Sequence, residues 1–94
     1  MNKVIGDKIF YEKSKEIPEE MEEKLELISA EKVFVEKTSP ILDIREDYLK
    51  EVKEVADRLK ADVIKELEYV EESTDAGKLG FNSRAVGLLE FYRI

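Results

Sequence analysis

The sequence predicts an α+β domain. It is read as an antiparallel sheet of about four strands packed on one principal amphipathic helix at residues 43–60. Three observations carry this reading. Residues 43–60 place apolar side chains at helical spacing. Residues 61–73 and 82–94 are rich in β-branched and aromatic side chains and alternate with a period of two. The chain is 94 residues long and 43% hydrophobic, enough for a single core and one domain spanning 1–94.

In chain order, residues 3–13 hold a short β-like centre at Ile9, Phe10 and Tyr11. Residues 17–30 fit two states. Met21, Leu25 and Ile28 suit a second helix with Pro18 in its first turn. Leu25 and Leu27 instead alternate as a strand would, continuing toward Val33 and Val35, which share a face in the β-like stretch 31–37. The principal helix carries Ile44, Tyr48, Val52, Val55, Ala56 and Leu59 as one stripe. Asp43 stands as its expected N-cap with Glu46 three residues on, and Arg58 and Lys60 suit the negative end of its dipole.

In 61–73, alternation groups Val63, Leu67 and Tyr69 on one face and Ile64 and Val70 on the other. Asp75, Gly77 and Gly80 supply turn chemistry before the last strand, and the two strands pair most simply as an antiparallel hairpin with a long loop. In that last strand Ala85, Leu89 and Phe91 point one way, and Val86, Leu88, Tyr92 and Ile94 the other. Both faces are apolar, yet one helix covers only one of them. Val86, Leu88, Tyr92 and Ile94 are therefore the expected oligomer face, unless 17–30 lies over them as a second helix. Alternation alone leaves open which face meets the principal helix.

Composition excludes several function classes. Cys and His are both absent, which removes disulfides, thiolate nucleophiles, the imidazole base and soft-metal ligands. Net charge is −7, without the basic footprint that nucleic-acid binding needs. No apolar run approaches the roughly 18 residues of a membrane span, and no signal segment is evident, so the expected location is cytoplasmic. The Glu- and Lys-rich surface is of a thermophile-like kind. The acidic cluster at residues 16–26 lacks calcium-loop spacing and reads as a solvated face.

The stretch VADRLKADVIKELEYVEES, a Gly-containing loop and SRAVGLLEFYRI resemble the YbjQ-like family over residues 45–94. Leu59, Ala61 and Asp62 match its Leu-Gly-Ala-Asp-Ala pattern, and Gly87 matches the Gly of its last strand. Lys60 stands where the family has Gly, and Leu88 and Leu89 stand where it has small residues. The resemblance implies a small α+β subunit whose relatives assemble into rings. The family's heavy-metal label does not transfer, because no Cys or His is present to bind a soft metal.

The expected function is a self-associating structural or interaction module, a homo-oligomer without cofactor, catalytic or metal residues. The alternative is an oligomer that binds a small ligand or anion between subunits near residues 74–82. There Gly77 and Gly80 would admit an anion to the backbone, and Lys78 and Arg84 would add charge. An enzyme is not expected, since spacing singles out no carboxylate pair among the 23 acidic residues. Asp62 reads as the first polar residue of a strand.

Carboxylates, carbonyls and phenols suit hard ions, so tight zinc or copper binding at neutral pH is not expected. Calorimetric titration checks this, and a sub-micromolar Kd for either metal would overturn it.

Overall fold

The fold is described here from a computed structural model, covering residues 3–28, 32–40, 43–75 and 81–94. Strands β1 (Lys3–Ile5) and β2 (Lys8–Tyr11) form an antiparallel hairpin. A single helical turn, α1 (Glu19–Glu22), and a two-residue strand, β3 (Glu26–Leu27), follow. Then come β4 (Val33–Ser39), helix α2 (Arg45–Leu59) and the long strands β5 (Val63–Asp75) and β6 (Phe81–Arg93). The order across the sheet is β1-β2-β5-β6-β3, with β4 also pairing with β6.

Among the described residues the sheet thus has six strands and is mixed, where about four antiparallel strands were expected. The β5–β6 hairpin is antiparallel as anticipated, but β2 runs parallel to β5, with Ile9 opposite Val63 and Phe10 opposite Ile64. The extra strands, β1 and β3, are three and two residues long, too short for alternation to reveal.

Residues 17–28 form neither a full helix nor one continuous strand, and residues 29–30 of the anticipated segment lie outside the described residues. Glu19, Glu20 and Glu22 suit the positive end of the α1 dipole, but α1 buries no residue, so tertiary packing does not extend it. At Glu26 and Leu27 the chain pairs with Arg93 and Tyr92 of β6 instead.

Helix α2 buries Tyr48, Leu49, Val52 and Ala56 against one sheet face, with Ile44 buried at its N-cap position. Val55 and Leu59 of the anticipated stripe are half-buried. Ile44, not Asp43, occupies the N-cap position, and no side chain caps the helix there, so the expected Asp43 cap is absent. Across the sheet Phe10, Ile64, Ala85, Leu89 and Phe91 complete the core. The face of β6 bearing Ala85, Leu89 and Phe91 is therefore the one that meets α2. Between Leu89 and Ala85 on that face sits Gly87. A Cβ there would lie 1.5 Å from the Tyr48 hydroxyl, so the helix approaches the sheet this closely only over a glycine.

At the other end of α2, Lys60 is the C-cap in a left-handed conformation, φ 58°. The Ala61 N–H donates to the Ala56 carbonyl at 2.9 Å and the Lys60 N–H to Asp57 at 3.1 Å, which closes the last turn. Arg93 of β6 donates to the Leu59 carbonyl at 3.1 Å and the Lys60 carbonyl at 3.3 Å, fixing the helix end to the last strand.

A left-handed backbone strains any residue with a Cβ, so Lys60→Gly should stabilise the domain by about 1 kcal/mol, roughly 4–8 °C in Tm. Thermal melts of Lys60→Gly and Lys60→Ala check this. Only the glycine should raise Tm, and an equal gain from alanine would show that strain is not the cause.

Candidate functional site

A β-bulge in β5 decides what each sheet face displays. The register with β6 shifts between Glu66 and Glu68, leaving Leu67 as the extra residue. Before the bulge Ile64 and Glu66 stand opposite Phe91 and Leu89 on the helix side, and after it Tyr69 stands opposite Gly87 on the same side. The bulge thereby inverts the expected grouping: Ile64 joins Tyr69 on the helix side, whereas Val63 and Val70 share the outer face. Strict alternation through Leu67 cannot anticipate this.

The helix-side consequence is a buried ion pair. Glu66, 2% exposed, accepts hydrogen bonds from Arg45 Nη1 at 2.8 Å and Nη2 at 3.1 Å, and a third from the Lys13 backbone N–H at 3.3 Å. The Arg45 guanidinium lies 4.1 Å from the Tyr69 ring centroid. Burial acts to lower the Arg45 pKa, but the Glu66 hydrogen bond and charge outweigh it, so Arg45 titrates above its ordinary range. This cluster is internally satisfied at its charged atoms.

The outer face divides into two halves. One half is covered by residues 12–25, which cross it as a strap. The Lys65 ammonium, rising from that face, donates to the backbone carbonyls of Glu12, Lys13 and Lys15 and so anchors the strap. Lys13 adds an exposed ion pair with Glu68 at 3.0 Å. Ile17 and Glu22 of the strap, with Leu67, Glu90 and Tyr92 of the sheet, line a groove of about 260 Å³. Within it the Tyr92 hydroxyl donates to Glu90 at 2.9 Å.

The other half is open. Phe34 is 60% exposed and stands opposite Leu88, while Val70 is 52% exposed and stands opposite Val86. These four side chains form one apolar patch across β4, β6 and β5. Glu36, Glu68, Glu72 and Arg84 rim it, and Arg84 pairs with Glu36 at 3.1 Å and with Glu72 at 3.6 Å. Chemically the patch offers apolar area inside a ring of charges.

The expected oligomer face is thus split. Val86 and Leu88 belong to the open patch, Tyr92 lies in the groove beside the strap, and Ile94 is exposed beyond the end of β6. Gly77, Lys78 and Gly80 of the anticipated ligand loop lie outside the described residues. The loop's fourth residue, Arg84, is engaged by two carboxylates. Phe34 and Val70 are the members of the patch that sequence reasoning missed. For Phe34 a signal was available, since Val33 and Val35 face the core and leave it on the other side. For Val70 the bulge hid it. Among the described residues no three acidic side chains converge as a metal site.

No protein-family model, curated protein or solved structure matches the chain.

Burial raises the phenol pKa of Tyr69 and of Tyr92, each to about 12, with neighbouring Glu71 and Glu90 adding to the shift. Burial raises Tyr48 further, with Glu66 reinforcing it. A phenol raised by folding contributes stability that is complete below its unfolded pKa of 10.0 and is lost as pH climbs toward the folded value. The domain should therefore lose stability from about pH 10 upward, with phenolate absorbance lagging behind that of free tyrosine. Absorbance titration alongside circular dichroism checks this. Ionisation of all tyrosines near pH 10 with the fold intact would contradict it.

Proposed function

We propose that this protein is a self-associating interaction module that uses the open half of its outer sheet face. One observation carries the reading: Phe34, Leu88, Val86 and Val70 form a contiguous apolar patch spanning three strands, with its two outermost members more than half exposed. Apolar area concentrated within a charged rim is characteristic of surfaces that meet another protein. The resemblance of residues 45–94 to YbjQ-like proteins supports the same direction, because those relatives assemble.

The net charge of −7 opposes contact between like copies. Association driven by the patch should therefore tighten as salt screens that repulsion.

The two faces of β6 separate association from folding. Leu89 is fully buried under α2, so Leu89→Ala should cost roughly 2–5 kcal/mol at any protein concentration. Leu88 belongs to the patch, so Leu88→Ala should weaken association and reduce the dependence of Tm on protein concentration. Light scattering after size exclusion, with melts over a hundredfold concentration range, reads both effects. A wild-type chain that stays monomeric and melts independently of concentration would sink the proposal.

A further inference from the structure

We propose that the open edge of β5, from Glu68 to Ser73, takes a basic extended segment of another protein as an added strand. This surface is separate from the apolar patch on the sheet face and does not rest on self-association. Strand β2 pairs with β5 only at Val63, Ile64 and Lys65. The chain then leaves the edge at Lys13, whose N–H donates to Glu66, and the strap turns across the outer face. The bulge at Leu67 follows. Beyond it β5 pairs with β6 alone, from Glu68 opposite Leu88 to Asp75 opposite Phe81. In an antiparallel pair every second residue points its N–H and C=O away from the partner strand. Among the described residues no strand receives those groups on β5, so the edge is a template for one. Glu68 and every residue from Val70 to Ser73 are exposed.

The side chains along this edge select the occupant. Glu68, Val70 and Glu72 stand on the outer face opposite Leu88, Val86 and Arg84. Tyr69 and Glu71 stand on the helix side, opposite Gly87 and Ala85. Three carboxylates thus fall within five residues of open strand. Their ties within the chain are weak, since Glu68 meets Lys13 in an exposed pair and Glu72 lies 3.6 Å from Arg84, which is closer to Glu36. The same edge of a second copy is excluded, because carboxylates would stand against carboxylates. Strand β4 of a second copy fits poorly, since its Lys37 comes with Glu36 and the whole chain carries −7. The complementary strand carries Lys or Arg opposite Glu68, Glu71 and Glu72, and an apolar residue opposite Val70. In the antiparallel sense, the more stable of the two, its order is basic, basic, apolar, any, basic. The apolar residue lies beside Val70, which is 52% exposed at the margin of the patch.

The probe is a fluorescein-labelled peptide, Thr-Lys-Lys-Val-Thr-Lys-Thr, followed by fluorescence anisotropy. It should bind, and added salt should weaken it, the opposite of the response expected for association through the patch. Replacing its Val and the Thr that follows with Pro keeps all three lysines. It removes two adjacent N–H groups, one of which has to face β5, and should weaken binding about tenfold or more. On the protein, Glu68→Gln, Glu71→Gln and Glu72→Gln together should also weaken binding about tenfold or more. Glu19→Gln, Glu20→Gln and Glu23→Gln together remove the same charge from exposed positions at α1 and should change little. Circular dichroism checks that both variants are folded. Hydrogen exchange with the peptide bound should show new protection at alternate amides within residues 68–73.

That pattern is the expected result. Absence of binding at millimolar peptide overturns the proposal. So does binding that survives the proline replacements, or that responds alike to the two sets of glutamine substitutions, because attraction to net charge then suffices without an added strand. Protection of the β5 edge in the wild type without peptide, together with growth past two copies, assigns the edge to β4 of a neighbour and also overturns it. Self-association is read separately, from light scattering without peptide, so either reading can fail alone.

Discussion

A carboxylate as far from water as that of Glu66 has to be met on several sides, and the chain meets it with Arg45 and the Lys13 backbone N–H. Those contacts tie four places together: the first residue of α2, the strand just before the bulge, the start of the strap and the aromatic cluster around the guanidinium. Phe10 and Tyr48 each lie 5.8 Å from Arg45, and Tyr69 lies closer. Removing one partner of such a pair typically costs about 3–5 kcal/mol, a large share of the roughly 5–15 kcal/mol that holds a small domain. The helix entry angle, the strap and the position of the bulge are in this sense one arrangement.

The bulge then determines the surface. With Leu67 as an extra residue, Glu66 and Tyr69 both turn toward α2, and Glu68 and Val70 turn outward. In a bulge-free strand Val70 would lie on the same side as Ile64 and Glu66, under the helix. The outer patch therefore exists because an internal ionic cluster and a tyrosine both had to face the same layer. Gly87 completes the arrangement from the opposite strand, since it gives Tyr48 room beneath the sheet. The glycine noted as a match to the last-strand pattern has a direct steric reason to be there.

Much of this was legible in the residues. The stripe of Tyr48, Val52 and Ala56 placed the helix, while for the second apolar face of the last strand the residues suggested a neighbouring subunit or a helix over 17–30, and not a strap, as the covering. The strap is that covering for Tyr92, whereas Val86 and Leu88 remain in the open half. What escaped was of two kinds. Strands as short as β1 and β3 carry too few side chains for a period to register. The bulge follows from tertiary demand at Glu66, with no glycine or turn residue to mark it. The Asp43 cap was a sound local expectation that the observed helix start, with Ile44 in the cap position, does not use. Lys60 is the reverse case, a residue of poor left-handed propensity held in place by the hydrogen bonds at the helix end.

The strap has a separate consequence for how the domain opens. Beyond Lys13, which Glu66 and Glu68 hold, it is joined to the sheet mainly through the backbone carbonyls that receive Lys65 and through Ile17, while its helical turn buries no side chain at all. A segment with so little buried area releases at a far smaller free energy than the β5–β6 hairpin. Its amides belong to a subunit of stability of their own, exchanging with solvent hydrogen while the two long strands stay protected. Lys13, Lys15 and Lys24 fall within or beside it, so a lysine-directed protease should nick the native protein there first, leaving the helix and the long hairpin joined.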